Sequence, residues 1–354
     1  MRLFVMVGLL LSATAVSAQQ GALAFSSSAD AIVDPGSAAM GDAGVGGAGD
    51  AGRWLNNPAA LGGLTGIGFN GARRNLHNTA FQDDLNIYSG GVWFGGPIGT
   101  FAIHFDRFDL GHSDIQFENG TFIGTVHLYN HTVALSYAHS VIPSLQIGGT
   151  LKQVQWFFIA DSSGGNIYQT NEEFAGLQTS RVVMDLGAIY SFGSPFMGGD
   201  LRDSLHIGLN LQNYIRLPKA ADRALAPSAA LRAGVRYTLR SDTGWFRGAI
   251  DLDYMHQLQD RDQGFIPLNF LLTGAELTLW DALHLRGGLR VEPYANSTIR
   301  LTYGAGLDLP FHRFGIDIPF GLHIDYSSAP RFEFYQGEYL TTYDLGFGIV
   351  YKPR

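Results

Sequence analysis

The stretch "ALHLRGGLRVE", residues 282–292, sets Leu283, Leu285, Leu289 and Val291 on one side of an extended chain and His284, Arg286, Arg290 and Glu292 on the other. Successive side chains of a β-strand point to opposite faces, so a period of two reads as a strand with one oily face and one charged face. In "TIRLTYGAGLDL", residues 298–309, Ile299, Leu301, Tyr303, Ala305, Leu307 and Leu309 alternate with Arg300, Thr302, Gly304, Gly306 and Asp308. From 314 to 327, Phe314, Ile316, Ile318, Phe320, Leu322, Ile324 and Tyr326 alternate with Gly315, Asp317, Pro319, Gly321, His323 and Asp325.

Working outward, the same period predicts fourteen strands: 66–74, 86–94, 98–108, 126–139, 145–157, 180–191, 204–213, 229–240, 246–257, 269–279, 283–292, 298–309, 314–327 and 341–351. Most match the ~9–11 residues that a tilted strand needs to cross a bilayer. Connections after the second, fourth, eighth, tenth and twelfth strands are short ("GGP", "SVIPS", "SDTGW", "WDA", "PFHR"), and most of the others are longer. Residues 192–203 and 293–297 break this alternation. Outer-membrane barrels have short periplasmic turns and longer outer loops, so the pattern predicts an all-β transmembrane antiparallel barrel of about fourteen strands with both termini periplasmic. A pair of soluble β-sandwich domains would also alternate, but no linker interrupts the strands.

The barrel reading turns the leucines of the opening stretch toward lipid and its charges toward the lumen. A charge facing lipid at the bilayer midplane costs roughly 2–4 kcal/mol. In the predicted strands from 229 onward, charge falls on the other face: Arg232, Arg236, Arg240, Arg247, Asp251, Asp253, Glu276, Arg286, Arg290, Glu292, Arg300, Asp308, Asp317, Asp325 and Asp344. On this reading Leu285→Arg is damaging and Arg286→Gln is milder. Tyr190, Tyr237, Tyr254, Tyr326 and Tyr351 suit an interfacial aromatic girdle.

Composition agrees. The 354 residues include 46 glycines, 12% aromatic and 15% charged residues and no cysteine, with a formal net charge of -8. That excludes a disulfide scaffold and offers no basic footprint for nucleic acid. The start, "MRLFVMVGLLLSATAVSAQQ", combines Arg2, a short apolar run and the small residues Val16, Ser17 and Ala18, and predicts a signal peptide over residues 1–18. No other apolar run is long enough for a spanning helix.

Residues 19–65 lack the strand period and are rich in Gly, Ala and Asp, a composition that fits either a flexible linker or a compact plug. About eight strands already enclose just enough room for their own side chains, so a wider barrel, residues 66–354, needs a filler or leaves a channel. Lumen-facing Gly304, Gly306, Gly315, Gly321, Gly346 and Gly348 either admit a close-lying backbone or relieve strand curvature.

In "GSAAMGDAGVGGAGDAGRWLNNPAALGG", the residues Ala38, Ala39, Met40, Gly41, Asp42 and Ala43, then Trp54, Asn56, Asn57, Pro58 and Ala59, resemble the N-terminal segment of FadL-like outer-membrane barrels, most of all the PorV/PorQ branch. Ala39 stands where glycine or leucine is common, and Leu55 and Asn56 separate Trp54 from Asn57-Pro58. The resemblance implies a fourteen-stranded barrel with residues 19–65 folded into the lumen as a hatch. For the PorV/PorQ branch it implies a non-enzymatic component of type IX secretion or surface attachment that binds secreted cargo or secretion-machinery subunits. For the FadL-like relatives it implies passive passage of a hydrophobic small molecule across the outer membrane, and in either case the first partner is outer-membrane lipid. The charged lumen of the C-terminal strands ranks the transporter second.

No nucleophile elbow, phosphate loop, HExxH or CxxC occurs, so the expectation is no catalytic site and no cofactor. Asp251 and Asp253 form a D-x-D on one face, and Asp317 and Asp325 share theirs with His323; such carboxylates bind metal or pair with lumen arginines, and pairing is the expectation. The 11 histidines show no metal-ligand spacing, so no metal is expected. Asn56-Asn57-Pro58 either gates the hatch or caps and fixes a turn.

Overall fold

The computed structural model describes residues 34–49, 52–76, 85–116, 122–161, 179–193, 196–197, 200–217, 229–258, 269–292, 298–311, 319–332 and 339–351. The signal peptide and residues 19–33 lie outside them, as do Gly315, Asp317 and most of the longer connections. The strands are β1 (Gly66–Leu76), β2 (Leu85–Gly96), β3 (Gly99–Gln116), β4 (Phe122–Ile142), β5 (Leu145–Asp161), β6 (Thr179–Gly193) and β7 (Leu201–Leu217). They continue as β8 (Ala229–Ser241), β9 (Phe246–Leu258), β10 (Asn269–Leu279), β11 (Leu283–Glu292), β12 (Thr298–Pro310), β13 (Phe320–Phe332) and β14 (Tyr339–Tyr351). Each strand pairs antiparallel with its sequence neighbours, and β1 pairs with β14. The ring of fourteen is closed, so every ladder is matched and no edge is left.

Alternation decides the faces. On β10, exposed and buried residues trade places along the strand: Leu271 and Leu277 face outward, Leu272, Glu276 and Thr278 inward. On β11, Leu285 is 45% exposed while the adjacent His284 is 4% exposed. Ile299, Leu301 and Tyr303 of β12 and Leu345, Phe347 and Ile349 of β14 are likewise exposed, whereas Arg300, Asp325 and Asp344 are buried. A water-soluble protein would have this inverted, so the architecture is that of a transmembrane barrel.

The register Ile67↔Tyr351 and Ile67↔Phe94 places the start of β1 and the end of β14 at the end of the ring that also carries the short turns Pro97–Ile98, Pro143–Ser144, Asp242–Trp245 and Trp280–Ala282. Exposed Phe94, Phe192, Trp245, Trp280 and Phe320 gather at that end. Of the expected girdle, Tyr190 and Tyr254 are exposed near strand ends and Tyr237 and Tyr351 are half-buried; exposed Tyr326 instead sits mid-strand opposite Ala305 and Leu345.

Three features depart from expectation. First, the described part of β13 begins at Phe320, after Pro319, which has no N–H to donate to a ladder; residues 314–318 of the expected strand lie outside the described residues. Second, β3, β4 and β5 run to 18, 21 and 17 residues, well beyond what a bilayer requires. Third, Phe101, Ile103 and Phe105 of β3 face outward and are followed on the same face by an Arg107–Asp109 pair at 2.8 Å. Exposed Arg73 of β1 lies at the same height, in register with Tyr88, which itself pairs with Arg107. Charge on the outer face thus marks where the apolar belt stops on the long-loop side.

Closure is reinforced from within. Arg74 of β1 and Asp344 of β14 form two parallel hydrogen bonds of 2.6 Å with both side chains fully buried, and Ser327 Oγ donates to Asp344 at 3.1 Å.

Candidate functional site in the barrel lumen

The described part of the N-terminal segment is enclosed by the ring. A five-residue helix, α1 (Pro35–Ala39), is buried throughout; Pro35 supplies the fixed first-turn φ, and Asp34 Oδ2 accepts from Ser37 N at 2.8 Å as the N-cap. Two 3-10 turns follow, Arg53–Leu55 and Pro58–Gly63. Asn57 caps the second: its Oδ1 accepts from Ala59 N at 3.1 Å while its Nδ2 donates to Val45 O at 2.8 Å and reaches the β6 and β7 carbonyls of Ala188 and Leu209 at 3.2 Å.

Between α1 and these turns, Met40-Gly41-Asp42-Ala43 reverses direction against β10 and β11. Gly41 and Asp42 have φ of 69° and 63°, in the left-handed region that Gly adopts freely and Asp tolerates. A Cβ on Gly41 would sit 2.7 Å from Leu289 O and 3.0 Å from Thr273 O, so only glycine fits. The wall is notched to match. A Cβ on Gly288 would run into the Met40–Gly41 peptide, one on Gly274 would meet Met40 Cβ at 2.6 Å, and one on Gly304 would meet Ala39 Cβ at 2.6 Å. Gly346 sits against Pro35, Gly91 against Trp54, Gly148 and Gly187 against Pro58, and Gly208 against Val45. Of the expected lumen glycines, Gly304 and Gly346 seat this segment. Gly306 instead makes room for Asp325 and Arg286, and Gly321 and Gly348 meet only barrel atoms.

The charged residues of β8 to β13 form the seat for the Met40–Ala43 end. Arg232 donates to Asp42 O at 2.6 Å and to Asn56 Oδ1 at 2.7 Å; Asn56 Nδ2 donates to Ser37 Oγ at 2.7 Å, and Asn210 Nδ2 donates to Asn56 O at 2.7 Å. Arg290 pairs with Asp42 at 2.9 Å and lies 4.6 Å from the Phe270 ring centroid. Asp251 receives Arg236 at 2.7 Å from the wall and Arg53 at 3.1 Å from the segment. Asp253 Oδ2 accepts the backbone N–H groups of Gly44 at 2.7 Å and Val45 at 2.9 Å. Glu276 and Asp325 share Arg286 at 2.7 and 2.5 Å. Arg300 is buried opposite Arg290 in the ladder, and its neighbour Thr302 donates to Ala39 O at 2.9 Å. Each carboxylate of the D-x-D thus meets a cation or paired N–H groups, which is what burial of charge demands.

Against β2 to β6 the contact with the segment is apolar, although the same strands also turn buried Thr100, His104, Asn130, Thr132, Ser136, Thr150, Arg181 and Asp185 inward. Trp54, Ala59, Ala60 and Leu61 pack with Trp93, Ala102, Ala138 and Ile189 in one buried cluster, with Trp54 edge-on to His104 at 5.4 Å. A smaller cluster joins Ala43 to Phe270 and Leu272 beside Met255. The segment is therefore held in two ways, by charge under Met40–Ala43 and by an apolar cluster under Trp54 and Pro58–Leu61. Arg53 was not singled out as a site residue, although it is the only cation between residues 34 and 64; that solitary charge, set against a lumen D-x-D, was the available signal.

No family model and no curated protein sequence matches the chain. Among solved structures, the Pseudomonas putida toluene transporter TodX is similar, with 11% identity, 90% of this chain and 97% of that chain covered, and a TM-score of 0.52. A TodX mutant described as a monoaromatic hydrocarbon channel gives 12% identity, 85% and 94% coverage and a TM-score of 0.50. A Pseudomonas aeruginosa FadL homologue gives 11% identity, 90% and 98% coverage and a TM-score of 0.47. Identity this low speaks to architecture alone, and on that evidence the chain has the barrel fold of the toluene transporter.

Proposed function

We propose that the protein spans an outer membrane, with its short turns and both chain termini on the periplasmic side, and lets a hydrophobic small molecule pass through the lumen. Residues 1–18 act as a signal peptide, 19–65 as a hatch and 66–354 as the barrel. The observation that carries this reading is the apolar cluster between Trp54 and Pro58–Leu61 and the inner face of β2, β3, β4 and β6. It gives a non-polar molecule a surface to follow between the hatch and the barrel, with Trp54, Trp93 and Ile189 along it. The charged wall of β8 to β13 keeps the hatch anchored while that side yields. The fold shared with a toluene transporter supports the same reading.

The test is passage of toluene into proteoliposomes containing the folded protein, with a small sugar as a polar comparison. Faster entry of toluene than into empty liposomes, without faster sugar entry, is expected. Equal rates with and without protein overturn the reading.

A role in type IX secretion ranks second. It rests on the Met40-Gly41-Asp42-Ala43 and Asn57-Pro58-Ala59 resemblance, yet Met40, Ala43, Trp54, Asn57 and Ala59 are buried against the barrel and present nothing to an external protein.

A further inference from the structure

We infer that His284, Asp308 and His323 form a binding site for a divalent transition-metal ion, with zinc the best fit, at the short-turn mouth of the lumen. The inference is independent of the transport reading. The three residues stand 24 and 15 positions apart in sequence, which matches no ligand-spacing motif, but strand pairing brings them together. Asp308 and His323 are direct partners across β12 and β13, and His284 of β11 is opposite Gly306, two residues from Asp308 on the same face. One ligand atom from each lies within 4.8 Å of the others, and two imidazoles with one carboxylate make a donor set that suits zinc.

The surroundings decide which ring nitrogens are free to bind. His284 Nδ1 lies 3.1 Å from Thr278 Oγ1, and Thr278 in turn donates to Glu276, so the hydroxyl oxygen accepts the Nδ1 proton. The Nε2 of His284, which meets Asp308 at 2.9 Å, is then the nitrogen that would turn to an ion. His323 Nε2 donates to Asp325 Oδ2 at 2.5 Å, so Nδ1, which meets the other Asp308 oxygen, is its nitrogen that would turn to an ion. Asp325 is itself held by Arg286 at 2.5 Å. Both histidines thus have their outer nitrogen engaged by a partner that orients the ring, as supported metal ligands do. A Cβ on Gly306 would collide with Asp325, so the glycine there is part of the support.

Access and charge agree with this assignment. His284 is 5% exposed, but His323 and Asp308 are 32% and 39% exposed, which leaves a side open for an ion to enter and for water to fill the remaining position. A dication would take the place of the hydrogen bonds that join Asp308 to the two imidazoles.

The test uses the full mature chain folded in detergent, stripped with a chelator and titrated with zinc alone by calorimetry. One ion per chain is expected. Asp325→Asn, which removes the support of the His323 ring together with a partner of Arg286, should weaken binding about 10- to 100-fold in the folded variant. The His284→Gln/His323→Gln double variant should abolish it, and His206→Gln, a lumen histidine elsewhere, should leave it unchanged. Heat-modifiable gel mobility verifies folding of each variant. Cobalt(II) supplies an independent readout, since its visible absorption should change between the wild type and Asp308→Asn. Absence of stoichiometric binding by the wild type, or binding that survives in the folded double variant, overturns the assignment.

Discussion

Arg286→Gln inverts an expectation drawn from the alternating pattern alone, in which a lumen substitution is milder than a charge placed toward lipid. Arg286 donates from Nε to Glu276 at 2.7 Å and from Nη1 to Asp325 at 2.5 Å, and all three side chains are at most 7% exposed. Breaking one partner from a buried ionic set costs roughly 3–5 kcal/mol, because the remaining charge has lost its counterion. Here each carboxylate keeps a second contact: Glu276 has Arg236 at 3.6 Å and Asp325 has His323 at 2.5 Å. The loss should therefore sit at the lower end, about 3 kcal/mol, or roughly 150-fold in the folding equilibrium. Leu285→Arg enters the outer face only three residues into β11, beside Leu277 and Ala305. The cost of a lipid-facing charge falls from ~2–4 kcal/mol at the midplane to ~0–1 near the interface, so about 1–2 kcal/mol is expected there. Reversible urea unfolding in lipid vesicles, followed by heat-modifiable mobility, measures both. If Arg286→Gln proved less damaging than Leu285→Arg, Glu276 and Asp325 would have to be solvated, and the described packing of the charged wall would be wrong.

Two further outcomes follow from the packing. Gly288→Ala forces a methyl group into the Met40–Gly41 peptide, a contact that no rotamer relieves, and should cost about 1–3 kcal/mol while raising amide hydrogen exchange over residues 38–44; Gly287→Ala, whose Cβ would meet only Thr302 O at 3.8 Å, serves as the neutral control. Arg74→Met should cost roughly 3–5 kcal/mol in the same urea assay, and adding Asp344→Leu should recover part of that loss, because the double variant no longer buries a lone carboxylate.

How much of this was legible beforehand varies with the residues concerned. The alternation in β10, β11 and β12 was strong enough to place each boundary within a residue, because a period of two with charge on one face has few other readings. At β13 the alternation ran on through Pro319, and sequence period alone does not say where ladder hydrogen bonding starts. The N-terminal residues Met40, Asp42, Asn56 and Asn57 were visible as a motif, but their partners Arg232, Arg290 and Asn210 were not, since contacts across some 150 to 250 residues leave no local trace. The glycines at 91, 148, 187, 208, 274 and 288 were unreadable for a related reason: a strand glycine looks the same whether it bends the sheet or seats another backbone. The apolar cluster was unreadable because Trp93, Ala102, Ala138 and Ile189 lie on four different strands, each of which reads as ordinary. His284, Asp308 and His323 were invisible as a set until neighbouring strands put them side by side.

The Arg74–Asp344 clasp has a consequence for how the molecule comes into being. Its partners are 270 residues apart, and tying off a loop of that size is entropically dearer by about 3 kcal/mol than tying off a ten-residue hairpin. Until the last strand arrives, the first strand's outer row of amides has no mate, and a growing sheet with two bare flanks is open to pairing with the wrong chain. A buried guanidinium gripping a carboxylate in a fixed two-pronged geometry recognises one height and one alignment, so a ring joined out of step would trap both charges unmatched and come apart again.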